Sequence, residues 1–173
     1  MNRKNLTSLI ALFSLWFSAL AVALERTDMQ AADLATDARL FIGDQRILLL
    51  VVTRSDCSYC QALMKEVMLP LLRSGAWDEQ VVIRELELDT SPEITDFNMQ
   101  VVAPIKFAER YGTPFTPSIL LLDRCGREAA LRHVGYDGGD YFEFYLQKSV
   151  KQALQWLSTN QPKCKQRPVA GAF

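Results

Sequence analysis

The stretch "LLLVVTRSDCSYC", residues 48–60, joins an apolar run to two cysteines that are two residues apart. An uninterrupted run of Leu and Val is typical of a strand that is buried on both faces of a parallel sheet. Directly after this run, Ser55 or Asp56 can cap a helix. The sequence therefore predicts that Cys57 and Cys60 lie at the start of a helix that follows a buried strand.

This position gives the two cysteines different chemical properties. Unpaired backbone N–H groups and the helix dipole stabilise a thiolate at a helix start, so we expect the pKa of Cys57 to lie below that of a free cysteine. Cys60, one turn into the helix, is predicted to be shielded. Cys57 is thus the candidate nucleophile that attacks a disulfide, and Cys60 is the candidate resolving cysteine that attacks the resulting mixed disulfide.

A zinc half-site and a purely structural disulfide are the alternatives for this pair. Zinc needs two further ligands, usually a second close pair, whereas Cys125, His133 and Cys164 each stand alone in the sequence. A disulfide that closes a ring of four residues adds little loop entropy, so stability alone explains the pair poorly. We therefore predict a redox pair with no metal and no other cofactor.

The rest of the chain alternates between helical and strand-like patterns. The predicted helices cover residues 27–41, 55–75, 103–112 and 140–157, and the predicted strands cover residues 46–53, 81–89, 116–123 and 129–136. The last two strands form a hairpin over residues 116–134, and residues 90–103 are predicted to be a loop. Right-handed crossovers between the first strands then give an α/β fold, with a four-stranded mixed sheet flanked by helices.

The whole chain has the composition of a single globular domain. It contains 173 residues, of which 49 % are hydrophobic and 23 % are charged, and this balance excludes a disordered chain. The formal net charge of −1 provides no field that would hold nucleic acid or an anionic membrane surface. We expect neither as a partner.

The N-terminal segment differs from the rest in its charge pattern. Arg3 and Lys4 precede a stretch that carries no charge until Glu25. Small residues at Ala21 and Ala23 have the spacing that a signal peptidase requires. These features predict a secretory signal that is cleaved after Ala23.

The predicted organisation is therefore a signal peptide over residues 1–23, one domain over 24–160 and a C-terminal tail over 161–173. An uncleaved membrane anchor over residues 6–24 remains the alternative, because about 18 apolar residues just span a bilayer. In an oxidising compartment, an even number of cysteines can form disulfides.

Two motifs together resemble the thioredoxin superfamily over residues 30–158. The first is the strand and Cys-x-x-Cys of residues 48–60, and the second is "YGTPFTPSILLLDRCGRE", residues 111–128. The second motif is similar to the family's helix end, cis-proline loop, strand and glycine-containing turn. The resemblance implies that the Thr116–Pro117 bond is cis and faces the cysteines, whereas sequence alone favours a trans proline at a strand start.

The Cys-x-Tyr-Cys form resembles exported bacterial thioredoxin-like proteins. This resemblance implies a periplasmic thiol–disulfide oxidoreductase of the reductase or isomerase type. Protein disulfides or thiols would be its substrates, bound in part by Thr116 and Pro117, and a membrane electron carrier or a membrane oxidase would recycle it. The alternative is a non-catalytic binding or regulatory module for a single periplasmic partner.

The chain departs from cytosolic thioredoxin at two positions near the cysteines. Asp56 replaces the family's Trp, and its charge opposes ionisation of Cys57. Val51 replaces the family's buried acid. Glu85 on the neighbouring strand could substitute for this buried acid. A solvated or ion-paired Glu85 is the expectation, however, because glutamate is almost never buried unpaired.

The other two cysteines lie near the C-terminal end of the fold. Cys125 falls in the predicted hairpin turn, and Cys164 follows the last helix. We expect them to form a structural disulfide that holds the tail, with two unpaired thiols as the alternative.

Overall fold

The computed structural model describes residues 29–39, 45–77, 79–113, 115–138, 141–160 and 164. The predicted signal peptide, the alternative anchor and all of the predicted tail except Cys164 lie outside these residues. Among the residues described, no helix has the length and apolar character needed to cross a bilayer.

A four-stranded mixed sheet forms the centre of the fold. The strands are β1 (Ile47–Thr53), β2 (Val81–Glu87), β3 (Ile94–Thr95), β4 (Val101–Val102), β5 (Ser118–Leu122) and β6 (His133–Val134). Their order in the main sheet is β2-β1-β5-β6, and β3 and β4 form a separate pair. β1 is parallel to β2 and antiparallel to β5, which is antiparallel to β6. The predicted α/β fold with a mixed sheet is confirmed.

Helices flank this sheet. They are α1 (Leu34–Arg39), α2 (Ser58–Leu63), α3 (Leu69–Ser74), α4 (Pro104–Arg110) and α5 (Phe142–Asn160). All seven side chains of β1 are buried, and alternate residues of a strand point to opposite faces. On one face Val51 belongs to a cluster with Leu63 and Leu146, and on the other Leu50 belongs to a cluster with Phe107. Helices therefore cover both faces of β1, as its uninterrupted apolar sequence predicts.

A π-helical turn, Met64–Met68, connects α2 to α3. Its hydrogen bond runs from the N–H of Leu69 to the carbonyl oxygen of Met64, five residues earlier. Pro70 has no N–H to donate, and it follows this turn as the second residue of α3. The helix that carries the cysteines thus continues past the proline with one wide turn.

The segment 90–103, which the sequence predicts to be a loop, contains the hairpin of β3 and β4. The buried carboxylate of Asp96 organises the connection by accepting the backbone N–H groups of Asn98 and Gln100 at 2.8 and 2.9 Å. Arg110 forms an ion pair with the same carboxylate. Burial alone would raise the pKa of Asp96, but these bonds together hold it below its usual value.

Of the predicted first helix, residues 27–41, the structure describes residues 29–39, where the chain is helical at Met29 and again over Leu34–Arg39 with a break between them. Gln30 forms a parallel bridge with Glu85 at the edge of β2, so the backbone here is extended. Asp33 then accepts the N–H and the hydroxyl of Thr36 at 2.8 and 2.7 Å. A helix-like pattern of alanines is overridden here by pairing with the sheet.

The last predicted strand, residues 129–136, joins the ladder only in part. The N–H of Ala129 donates to the carbonyl of Leu121 at 2.8 Å, and pairing resumes at β6. Between these points the chain leaves the ladder, where Arg132 bonds to Glu128 and to the backbone carbonyl of Tyr111.

A disulfide joins Cys125 to Cys164, with a Cα–Cα distance of 5.1 Å. Cys125 lies in the turn after β5, whose last residue, Leu122, is opposite Leu48 near the start of β1. Cys57 follows the end of β1. The two ends of the sheet therefore carry different disulfides.

Gly126→Ala should destabilise the fold more than Gly112→Ala. Both glycines have a positive φ, +73° and +60°, so an alanine costs about 1 kcal/mol at either position from backbone strain alone. A Cβ atom at Gly126 would overlap the ring of Phe97, whereas one at Gly112 would have nothing within 4 Å. We expect an additional cost of about 1–3 kcal/mol at Gly126 in urea unfolding. Equal costs at the two positions would contradict this packing.

Replacing both Cys125 and Cys164 with serine should lower the free energy of unfolding by about 2–4 kcal/mol, because the bond restricts the unfolded chain over a long loop. The single Cys164→Ser change should cost about as much as the double change, since either one breaks the bond. Urea unfolding measures both, and an unchanged midpoint would show that the pair adds no stability.

Candidate active site

Cys57 and Cys60 lie where β1 gives way to α2, and they form a disulfide with a Cα–Cα distance of 5.2 Å. Cys57 is the N-cap residue of α2, with φ −96° and ψ 105°, and its Sγ accepts the N–H of Cys60 at 3.1 Å. Cys57 is half-buried, whereas Cys60 is only 2 % exposed. Only Cys57 is therefore accessible to a large partner.

The Thr116–Pro117 peptide bond is cis, and this segment lies directly beside the cysteines. Cys57 Sγ is 3.7 Å from the carbonyl oxygen of Thr116. The register explains the contact, because Val52 near the end of β1 is opposite Ser118 at the start of β5. An oxidised Sγ has no proton to donate, so this distance is a contact in the disulfide state and can become a hydrogen bond only in the thiol state.

Two further hydrogen bonds hold the Thr116–Pro117 segment in place. The N–H of Gly135 donates to the carbonyl of Pro117 at 2.8 Å. The hydroxyl of Ser118 donates to the carbonyl of Phe115 at 2.7 Å. The segment is thus tied to both β5 and the loop after β6.

Asp56, which precedes Cys57, is paired with Arg54. The Arg54 Nε–Asp56 Oδ1 distance is 3.0 Å, and the two side chains are 44 % and 69 % exposed. The hydrogen bond from Arg54 to Asp56, followed by the charges of Asp56 and Asp89, raises the pKa of Arg54. The guanidinium therefore offsets part of the negative charge that Asp56 places beside Cys57.

Glu85 is buried, at 4 % exposure, so of the two expected environments, solvated or ion-paired, the solvated one is wrong. It lies opposite Val51 in the parallel pairing of β1 with β2, and its Oε1 accepts the hydroxyl of the fully buried Thr53 at 2.9 Å. The reason is the bridge from Gln30, supported by the N–H of Ala31, which donates to the carbonyl of Glu85 at 2.8 Å. This segment covers the edge of β2 that does not pair with β1, and the sequence pattern does not predict this cover.

Sequence reasoning missed the link between Tyr136 and Glu66. The Tyr136 hydroxyl donates to Glu66 Oε2 at 2.7 Å, and its ring packs edge-to-face on Phe142 at 4.9 Å. Glu66 belongs to the π-turn, and Tyr136 follows Gly135, which bonds to Pro117. The contact connects the loop that bonds to Pro117 with the helix that follows the cysteines. No sequence signal predicts it, because Glu66 lies in a π-turn that the helical pattern does not reveal.

Burial first, and then the hydrogen bond to Glu66, raises the pKa of Tyr136 to about 12. The phenol therefore stays protonated throughout the neutral range and donates a hydrogen bond to the Glu66 carboxylate.

His133 is half-buried and contacts the last helix. Its Nε2 lies 2.9 Å from the hydroxyl oxygen of Ser149, and burial lowers its pKa. Within the described part of the chain, no group of three or more His, Cys, Asp or Glu side chains is placed to hold a metal ion.

The thioredoxin-like domain family matches residues 34–149 of the chain. Among solved structures, DsbH oxidoreductase is 18 % identical, with a TM-score of 0.55 over 74 % of this chain and 85 % of that one, and this similarity supports the fold. No curated protein sequence matches the chain significantly.

Two more solved structures are similar at lower scores. The periplasmic thioredoxin SoxS of Paracoccus pantotrophus is 21 % identical, with a TM-score of 0.44 over 62 % of this chain and 99 % of that one. A thioredoxin-fold protein from Helicobacter pylori is also 21 % identical, with a TM-score of 0.44 over 66 % of this chain and 85 % of that one.

Tyr136→Phe removes the hydroxyl that donates to Glu66 and should lower the free energy of unfolding by about 1 kcal/mol at pH 8. Because the pKa of Tyr136 in the folded state, about 12, exceeds its usual 10.0, the stabilisation is complete below pH 10 and is lost as the pH rises toward 12. Urea unfolding should show that the advantage of the wild type shrinks above pH 10. An advantage that grows there would contradict this assignment.

Proposed function

The chain belongs to the thioredoxin-like domain family, and from this membership we propose that it is an exported thiol–disulfide oxidoreductase of protein substrates. The observation that supports the proposal most directly is the contact of 3.7 Å between Cys57 Sγ and the carbonyl oxygen of Thr116. At this contact the half-buried sulfur of Cys57 lies beside the Thr116–Pro117 backbone, and the sulfur of Cys60 lies one turn behind it.

In the reducing direction, the Cys57 thiolate attacks one sulfur of a substrate disulfide. The Cys57–substrate bond forms, the substrate S–S bond breaks, and the released substrate thiolate takes a proton from solvent. Cys60 then loses its proton and attacks Cys57 Sγ, which frees the second substrate thiol and restores the Cys57–Cys60 disulfide. Two electrons pass from the protein to the substrate.

The backbone of Cys60 assists the first step. Its N–H points at Cys57 Sγ from 3.1 Å, and a donor in this position favours the thiolate over the thiol. Cys60 itself is buried, so its sulfur waits beside the mixed disulfide and attacks at high effective concentration.

The substrate is an extended polypeptide segment that pairs with the backbone of Thr116 next to Pro117. Two exposed aromatic side chains are close in sequence to the two parts of the site: Tyr59, 63 % exposed, follows Cys57 by two residues, and Phe115, 69 % exposed, directly precedes Thr116. They offer apolar contacts to the residues beside the substrate cysteine.

The direction of electron flow follows from the reduction potential. We favour a reductase or isomerase that works in the periplasm and whose disulfide is re-reduced by a membrane electron carrier. An oxidant would instead be re-oxidised by a membrane oxidase. Equilibration of the Cys57–Cys60 pair with glutathione measures the reduction potential. A value of about −270 mV identifies a reductant, and a value of about −120 mV identifies an oxidant.

Insulin reduction with dithiothreitol tests the activity. We expect the wild type to accelerate insulin precipitation and Cys57→Ser to abolish this acceleration, because the thiol that remains, Cys60, is buried. Cys60→Ser, reduced beforehand and mixed with insulin after the dithiothreitol is removed, should accumulate a mixed disulfide that non-reducing gels detect, since Cys57 can attack but Cys60 is no longer present to resolve the bond.

The matched control is the double Cys125→Ser/Cys164→Ser change, which should keep the activity at a temperature where it stays folded. A wild type that binds partners but fails to reduce insulin, although its Cys57–Cys60 bond can be reduced, would favour a non-catalytic binding module instead.

A further inference from the structure

One carboxylate outside the Cys-x-x-Cys motif holds the turn in front of Cys57. Asp89 Oδ1 accepts the N–H of Ser55 at 3.0 Å, and Asp89 Oδ2 accepts the hydroxyl of Ser55 at 2.5 Å. β1 and β2 are parallel, so both strands end at the same edge of the sheet, and the N–H of Leu88 still donates to the carbonyl of Thr53 at 2.9 Å. The sheet register therefore carries Asp89 to Ser55.

Ser55 is bound from the helix side as well. Its carbonyl oxygen accepts the side-chain N–H of Gln61 at 3.1 Å, and the N–H of Cys57 donates to the carbonyl of Arg54 at 3.3 Å. The turn is thus fixed between Asp89 on one side and α2 on the other. Its geometry decides where Cys57 Sγ lies relative to Thr116.

The charge of Asp89 persists over the working pH range. Hydrogen bonds from the Ser55 hydroxyl first and from its N–H second hold the pKa of Asp89 below its usual value. Arg54 is the nearby cation, but it is already engaged with Asp56 at 3.0 Å. The turn before Cys57 accordingly carries two carboxylates and one guanidinium.

We propose that Asp89 is a positioning residue for the exchange reaction: through Ser55 it fixes the turn that aims Cys57, and its negative charge opposes ionisation of that sulfur. This inference rests on the proposed function, because it names a residue that acts on the same nucleophile. Asp89 touches neither sulfur and acts through the Ser55 turn and through the field at Cys57.

Two substitutions separate the two effects. Asp89→Asn removes the charge and leaves one amide oxygen, which can still accept one of the two hydrogen bonds from Ser55. Ser55→Ala keeps the charge but removes the hydroxyl donor. Glu93→Gln is the matched control, because Glu93 is an exposed acid on the same segment and forms no part of the turn.

The first measurement is the pH dependence of Cys57 alkylation by iodoacetamide in the reduced full-length protein, with the modified cysteine identified by mass spectrometry. We expect Asp89→Asn to shift the midpoint to lower pH, so that alkylation at pH 6 becomes about two- to threefold faster. In 1 M salt, where the Debye length is about 3 Å, most of this difference should disappear. Glu93→Gln should behave like the wild type.

The second measurement is the rate constant for exchange with insulin at a pH above the alkylation midpoint, where ionisation no longer limits the rate. Ser55→Ala should slow exchange by about three- to tenfold through misplacement of the sulfur, with its alkylation midpoint moved by less than that of Asp89→Asn. Thermal unfolding confirms that each variant is folded.

The outcomes are distinguishable from those of the proposed function. A wild type that does not reduce insulin overturns the proposed function, whereas the alkylation midpoint still reports the charge effect because it needs no substrate. An active wild type whose Asp89→Asn midpoint equals that of Glu93→Gln overturns the charge effect. An active wild type with unchanged exchange in Ser55→Ala overturns the positioning effect.

Discussion

The pairing of β1 with β5 is the constraint on which the candidate site depends. β1 is buried on both faces and hydrogen-bonded on both edges, so its end cannot shift without disturbing both hydrophobic clusters. Because Val52 is opposite Ser118, the segments that continue past this end of the ladder meet, and Cys57 Sγ comes to lie 3.7 Å from the carbonyl oxygen of Thr116. A slip of one residue in this register would turn every β5 side chain to the other face, and the sulfur would lose its neighbour.

The site is divided between rigid and accessible parts. Cys60 is buried in the core and Cys57 is only half-buried, although only three positions separate them. Around them the polar contacts run outward to other elements: Tyr136 joins the loop after β6 to the π-turn, and Asp89 joins the loop after β2 to the turn before Cys57. These contacts set geometry and charge without touching a reacting atom.

Much of this arrangement is visible in the sequence, and the rest is not, for identifiable reasons. A continuous Leu and Val run followed by a helical pattern suffices to place Cys57 at the junction of β1 and α2, since both signals are local. The predicted cap at Ser55 or Asp56 is wrong, because Cys57 itself is the N-cap and accepts the N–H of Cys60. The partners of Glu85 and Asp89 depend on which strands are neighbours and in what register, and a pattern of periodicity does not contain this information. Glu66, which accepts the hydroxyl of Tyr136, lies in the π-turn, and the sequence pattern does not predict where such a turn falls.

The bond between Cys125 and Cys164 has a topological consequence. It closes a covalent ring that includes β6, the glycine-containing loop with Tyr136, and α5. A protease that cut the exposed loop at Gly138 would leave both fragments in one molecule, with α5 still attached to the rest of the domain. A cut in a loop outside residues 125–164 would divide the chain in two, so the bond protects the loop after β6 but not the turn at Cys57 or the Thr116–Pro117 segment, which both precede the ring.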